Sequence, residues 1–152
     1  MKLAEALIER ADLQKRAAQL EERLVQNMQV QEGQEPSEDP RELLQEFLGV
    51  VAALDVLLPR IHRANLAARL PGGLTLTDAL ARRDMLDLRL KVLRRAAAAA
   101  SERQIRYSNS EVRMVAVIPA RDLQKQVDAL AKERRELETQ IQQVNWLTEL
   151  PE

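Results

Sequence analysis

The sequence predicts a mainly α fold, an elongated antiparallel helical bundle or coiled coil of about four helices with one short β-hairpin or extended arm. Three observations predict it. An apolar rhythm with alternating steps of three and four runs through Leu3, Ala6, Arg10, Leu13, Ala17, Leu20, Leu24 and Asn27. It returns in Leu123, Val127, Leu130, Arg134, Leu137, Ile141 and Val144, and such a stripe is the seam of a coiled coil. Aromatic residues make up 2% of the chain, so aliphatic helix packing must supply the core that rings would otherwise fill. Charged residues make up 31%, and with abundant Ala, Leu, Glu, Gln and Arg this is the composition of long, surface-rich helices. The 152 residues read as one helical domain spanning 1–152.

The first helix is expected over about 3–30 and ends at Gln31 to Pro40, a stretch with Gly33, two prolines and no apolar residue. Asp39, Pro40 and Glu42 then read as N-cap, first helical position and capping box of a second helix over about 40–69. Its stretch from Phe47 to Leu58 is the most apolar of the chain. That is short of the about 20 residues a membrane span needs, so it reads as a buried helix. Pro59 lacks the N–H that would bond Asp55 and should kink or split the helix. Pro71, Gly72 and Gly73 end it.

Thr75 and Thr77 are alternative N-caps of a third helix over about 77–101. Its apolar face, from Leu80 through Leu86, Leu90 and Leu93 to Ala97 and Ala100, is widened by Met85, Leu88 and Val92, which implies more than one neighbour. The alanine run 96–100 would let another helix approach closely. Over about 104–118 the period falls towards two around a polar Ser108-Asn109-Ser110 turn, the mark of a hairpin or arm that must lie on helices or pair with another subunit. Pro119 opens a last helix over about 121–146. Leu13-Gln14-Lys15 and Leu123-Gln124-Lys125 open similar windows in the terminal helices, which reads as convergent heptad usage rather than duplication. Arg10 and Arg134, each at a core position, are expected to fix register.

A net charge of −1 argues against a nucleic-acid partner. The absence of cysteine removes disulfides and thiol chemistry. Glu5, Glu9 and Asp12 interrupt any apolar leader, so no secretory signal is expected and the cytoplasm is the expected compartment. His62, the one histidine, would have to serve every metal or triad scheme, and it reads as an ordinary helix residue. Asp84 with Asp87, and Glu133 with Glu136, read as surface charge paired with nearby arginines rather than as cation ligands. No catalytic residues, metal site or cofactor are expected. The irregular segment with Arg106, Tyr107, Ser108 and Glu111 combines a guanidinium, a phenol and a carboxylate and is the first candidate for a ligand site, although ordinary turn residues would look the same. Arg63 and Asn65 extend this candidate. Asn145 and Trp146 come second, anchoring the terminus or lining an intersubunit pocket.

Several blocks together resemble the septicolysin-like family of small bacterial proteins over nearly the whole chain. They are KLAEAL (2–7), RADLQKR (10–16), VQEG (30–33), LTLTDALARRD (74–84), RYSNSEV (106–112), LQKQVD (123–128) and NWLTEL (145–150). The family name implies a pore-forming lysin, while most members look like uncharacterised helical proteins. Where the resemblance leads one to expect INRTN, this chain has Ile61-His62-Arg63-Ala64-Asn65.

No specific activity is legible. The leading expectation is a homo-oligomeric helical protein with a binding or scaffolding role, whose partners are itself and an unidentified protein or small anion, with no membrane. The alternatives are a small-molecule or anion-binding protein, enzymes included, with its polar site near 106–111, and a membrane-active lysin, which would have to expose Phe47–Leu58 or Val112–Ile118.

Overall fold

The computed structural model describes residues 1–102 and 112–152. It is mainly helical, with α1 (Leu3–Gln26), α2 (Pro40–Ala67), α3 (Leu76–Ser101) and α4 (Ala120–Leu147). There is no sheet among the described residues; Lys2 and Glu149 form an isolated antiparallel bridge. Residues 1–69 with 143–152 form one compact unit and residues 70–142 another.

Local chemistry sets the helix ends. Asp39 Oδ1 accepts from Arg41 N at 2.9 Å with Pro40 next to it, and Thr75 Oγ1 accepts from Asp78 N at 3.1 Å, so both caps fall on residues the sequence offers for the purpose. At α1 the backbone N–H of Lys2 donates to Glu5 Oε2 at 2.7 Å. That helix stops at Gln26, short of the expected 30. Asn27 ends it: its Nδ2 donates to the Arg23 carbonyl at 2.8 Å and its Oδ1 accepts from Glu38 N at 3.1 Å, which turns the chain toward α2. Gly72 and Gly73 follow α2 at φ +98° and +93°, a region costly for residues with a Cβ.

In the first unit α1 packs antiparallel on α2. Arg16 pairs with Glu46 of α2 and Arg23 with Glu38 just before it, so rising numbers along α1 meet falling numbers along the second segment. Leu3, Ala6 and Leu20 of α1 and Leu43, Leu57, Ile61 and Ala64 of α2 are buried in this unit. Full burial of each leucine or isoleucine is worth about 1.5–3 kcal/mol. The start of the chain is tied to residues 148–150: Leu3 N donates to the Thr148 carbonyl at 2.9 Å, Leu150 N to the Met1 carbonyl at 2.8 Å, and Lys2 pairs with Glu149. In the second unit α3 and α4 run antiparallel, with Arg83 on Glu138 at 3.2 Å and Arg134 on Asp87 at 2.9 Å, and they bury Leu76, Ala79, Leu86, Leu90, Leu123, Val127 and Leu137.

Four expectations change. Both terminal seams are covered within the chain, so they are not the free seams that would by themselves demand a second subunit. Pro59 does not split α2, because it stands on the exposed side of the helix, where the carbonyl of the equally exposed Asp55 loses its N–H partner to water rather than to a dry core. The Phe47–Leu58 stretch is not buried as a whole: Leu48 is 57% and Val56 65% exposed, while Leu57 is buried. The arm expected over 104–118 forms no strand in its described part, where Val112 to Ile118 are irregular and exposed; the remainder, including the Ser108-Asn109-Ser110 turn, lies outside the described residues. Alternating apolar residues specify a strand only when one face has something to bury against.

The two helix pairs also share a pattern. Leu43, Leu57, Ile61, Ala64 and Leu70 are buried along and just beyond α2, and Leu123, Leu137, Ile141, Val144 and Leu150 are buried with the same spacing along and just beyond α4. Asn65 and Asn145, then Pro71 and Pro151, fall in the same register. Leu3, Ala6, Arg10, Leu13 and Arg16 of α1 likewise match Leu76, Ala79, Arg83, Leu86 and Arg89 of α3. The internal likeness is therefore first pair to second pair, and the terminal-helix match at Leu13 and Leu123 is out of register with it.

Candidate functional site

Of the expected ligand residues, Arg63, Asn65, Asn145 and Trp146 are among the described ones. Arg63 is exposed near the end of α2, and its Nη2 donates to the Glu152 carbonyl at 3.1 Å, which holds residues 151–152 against the helix together with Arg60 Nε on the Pro151 carbonyl at 2.8 Å. Asn65 is half-buried in the last turn of α2. Asn145 and Trp146, adjacent on α4, face apart: Asn145 is 5% and Trp146 52% exposed, and Leu150 beyond them is buried. Arg106, Tyr107, Ser108 and Glu111 lie outside the described residues. His62 is exposed, and no group of three or more metal-ligating side chains occurs among the described residues.

Among the described residues the densest polar cluster is in the second unit, between α3 and α4. Glu138 Oε2 accepts from Arg83 Nη1 at 3.2 Å and Arg134 Nη1 at 3.1 Å, its Oε1 accepts from Gln142 Nε2 at 2.7 Å, and Arg134 reaches Asp87 through Nε at 2.9 Å and Nη2 at 3.4 Å. The Gln142 amide, followed by Arg83 and Arg134, holds the Glu138 carboxyl below its ordinary range, and the Arg134 hydrogen bond does the same to Asp87. A carboxyl held low stays ionised near neutrality and makes a poor proton donor or acceptor there. This cluster is a cross-brace between two helices, and Arg134, expected as a register-setting core residue, is satisfied inside its own chain. The pairing of Asp87 with Arg134 and of Glu133 with Arg82, at 2.6 Å, also uses the carboxylates that spacing offers as cation ligands.

The first unit lacks this brace. In the register of the two helix pairs, Arg83, Asp87, Arg134 and Glu138 correspond to Arg10, Gln14, Leu54 and Leu58, so Arg10 faces no equivalent of Glu138. Its Nε is buried and has no hydrogen-bond partner. The outer face of α2 differs as well. Leu44, Leu48 and Val56 are 45%, 57% and 65% exposed, and Gly49, Ala52 and Ala53 lie exposed among them; α4 carries Gln124, Asp128, Glu136, Ala129, Lys132 and Glu133 at the same places. The sequence did carry this signal. Two interleaved apolar rows run along α2, and only one can face α1.

The second unit holds a shallow apolar groove lined by Leu88, Arg89, Val92, Leu93, Gln126, Ala129 and Leu130, with no acid, base or nucleophile set for reaction. No helix among the described residues is long and apolar enough to cross a membrane.

The profile of a family of unknown function (DUF6847) matches residues 10–150. The crystal structure of a functionally unknown conserved protein from Corynebacterium diphtheriae is similar, at 40% sequence identity, 99% coverage of both chains and a TM-score of 0.92. No curated protein matches. These matches overturn the septicolysin-like assignment: the blocks on which it rests fall almost wholly within the DUF6847 match, and neither match carries a link to septicolysins or supports a lysin.

Proposed function

We propose that this chain, which belongs to the DUF6847 family, is a non-catalytic helical scaffold of the cytoplasm that works by associating with further copies of itself. The observation that carries the reading is the outer face of α2. Leucine and valine stand exposed there at positions where the otherwise similar α4 presents Gln124, Asp128 and Glu136. A solvated helix face tends toward the charged composition of α4, and a contiguous apolar face rimmed by polar residues marks an interaction surface. In the brace of the second unit Asp87 is bonded to Arg134 and Glu138 to Gln142, Arg83 and Arg134, and both are held low, which leaves no acid or base poised for work in that cluster.

Native mass spectrometry of protein purified from its own host tests this. A discrete oligomer without added mass is the expected result. A monomer over a wide range of concentration overturns the reading, and a stoichiometric small-molecule adduct replaces it with a ligand-binding one.

A further inference from the structure

The segments outside the helices differ in charge between the two pairs. Residues 112–119, which lead into α4, hold Arg113 and no acid, and Val112, Met114, Val115, Val117 and Ile118 are all exposed there, Val117 at 97%. Arg94 and Arg95 lie within about 10 Å of the end of α3, and Arg121 and Lys125 within about 10 Å of the start of α4. The acids at this end are Glu102 and Asp122, the latter beside Arg121 at 3.9 Å. Residues 27–39, between α1 and α2, are the reverse. They hold Glu32, Glu35, Glu38 and Asp39 and no lysine or arginine, with Met28 and Val30 exposed among them. Beside them Arg23 is bonded to Glu38, and Arg41 stands next to Glu42. Further along α3 and α4, Arg82, Arg83 and Arg134 are each paired with a carboxylate, whereas Arg94, Arg95, Arg113 and Lys125 make no ion pair or hydrogen bond among the described residues. Glu32 and Glu35 make none either.

We infer that the basic, apolar stretch 112–118 of one copy docks on the acidic segment 27–39 of another. This rests on the self-association reading above and adds to the α2 face a second contact made by other residues. The contact joins two different patches. Two copies of 112–118 would bring Arg113 to Arg113, and two copies of 27–39 would bring Glu32 and Glu35 to their own counterparts, whereas the crossed arrangement joins opposite signs. The valines, Met114 and Ile118 of the basic stretch then cover Met28 and Val30. This apolar burial supplies the affinity, because exposed ion pairs contribute little by themselves and mainly select the partner. An anionic lipid surface matches the basic stretch alone; a second copy matches both segments. A contact between unlike patches repeats from copy to copy until a ring closes.

Two charge reversals in the full chain test this. Glu32→Lys with Glu35→Lys makes the first segment basic, and Arg95→Glu with Arg113→Glu makes the second acidic; all of these side chains are exposed, so each variant is expected to keep its helical circular dichroism. In native mass spectrometry each variant alone is expected to lose the parent mass and fall to a smaller species. An equimolar mixture of the two is expected to assemble again, because every contact in it once more joins opposite signs. The wild-type assembly should weaken as salt rises from about 0.05 to about 0.5 M. Glu32→Gln with Glu35→Gln, expected to weaken assembly without reversing charge, serves where a reversal disturbs folding. Two results overturn the contact and leave the scaffold reading standing: a wild-type oligomer whose mass survives both reversals, or a mixture that stays dispersed when each variant alone has lost the parent mass. Binding of the wild type to phosphatidylserine vesicles that Arg95→Glu with Arg113→Glu abolishes, with the oligomer mass unchanged, identifies an anionic lipid surface as the occupant and also overturns it. A monomeric wild type removes both proposals.

Discussion

The α1/α2 pair and the α3/α4 pair are built on one pattern and finished in two ways. Each buries a leucine or isoleucine at the same places, carries an arginine inside its first helix and closes on Asn followed by Leu-Pro, in Asn65, Leu70 and Pro71 and in Asn145, Leu150 and Pro151. Beyond that core they diverge. The second pair meets its internal arginine with Glu138 and clothes the outer face of α4 in charge; the first leaves Arg10 without the corresponding carboxylate and the outer face of α2 apolar. The difference teaches that the buried row makes a helix pair, while the residues beside it decide whether that pair ends at solvent or goes on to a further surface.

The strongest test of the shared core is a matched truncation. Ile61→Ala and Ile141→Ala remove side chains that are both fully buried. Each is expected to cost about 2–5 kcal/mol in denaturant unfolding. If one costs little and the other much, the two pairs do not share a core design. Pro59 offers the next largest effect, since α4 has Thr139 in its place. Pro59→Ala restores a backbone donor for the Asp55 carbonyl and is expected to stabilise by about 1–3 kcal/mol. An unchanged melting temperature would mean that the helix has already absorbed the lost bond.

The two arginines should respond with opposite sign. Arg10→Met removes a buried donor that has no partner and is expected to stabilise by about 1 kcal/mol, whereas Arg83→Met removes a bonded one and is expected to destabilise by up to about 1 kcal/mol. Leu58→Glu sharpens the point by giving Arg10 the carboxylate that Arg83 has. A double-mutant cycle between Leu58→Glu and Arg10→Met should show favourable coupling, and zero coupling would mean that Arg10 does not sit where the pattern puts it.

Acid provides the smallest effect. Asp87, Glu138, Glu38 and Glu149 are each held below the ordinary carboxyl range, by Arg134, by Gln142 with Arg83 and Arg134, by Arg23 and by Lys2 respectively. A folded value below the unfolded one means that the stabilisation is complete above the unfolded range, about pH 4 for carboxyls, and drains away as pH falls through the lower folded values. The melting temperature should therefore hold level down to that range and then fall, and Asp87→Asn should make the fall shallower. A melting temperature that rises below pH 4 would contradict the sign. Salt should weaken the same dependence, since these pairs are partly open to solvent.

What could be read ahead of the structure follows from how far each signal reaches. Asp39, Pro40 and Thr75 place their helix starts within a turn, because a cap is a contact between residues two or three apart. Asn27 shows the opposite case: it fits the heptad count of α1 yet ends the helix, because its amide is taken by the backbone on both sides of the turn. The candidate site was less legible. Arg63 looks like a free cation in the sequence, and its partner, the Glu152 carbonyl, lies at the far end of the chain.

By itself the sequence determined the helical class, the order and approximate limits of four helices, and the buried rows of α1 and α4, since periodicity, caps and breakers act over one or two turns. The tertiary structure decided which of the two apolar rows of α2 meets α1, which internal arginine finds a carboxylate, and that both terminal seams are covered within the chain. Those outcomes depend on which helix lies alongside which, and a side chain's burial or pairing is fixed by neighbours that are distant in sequence.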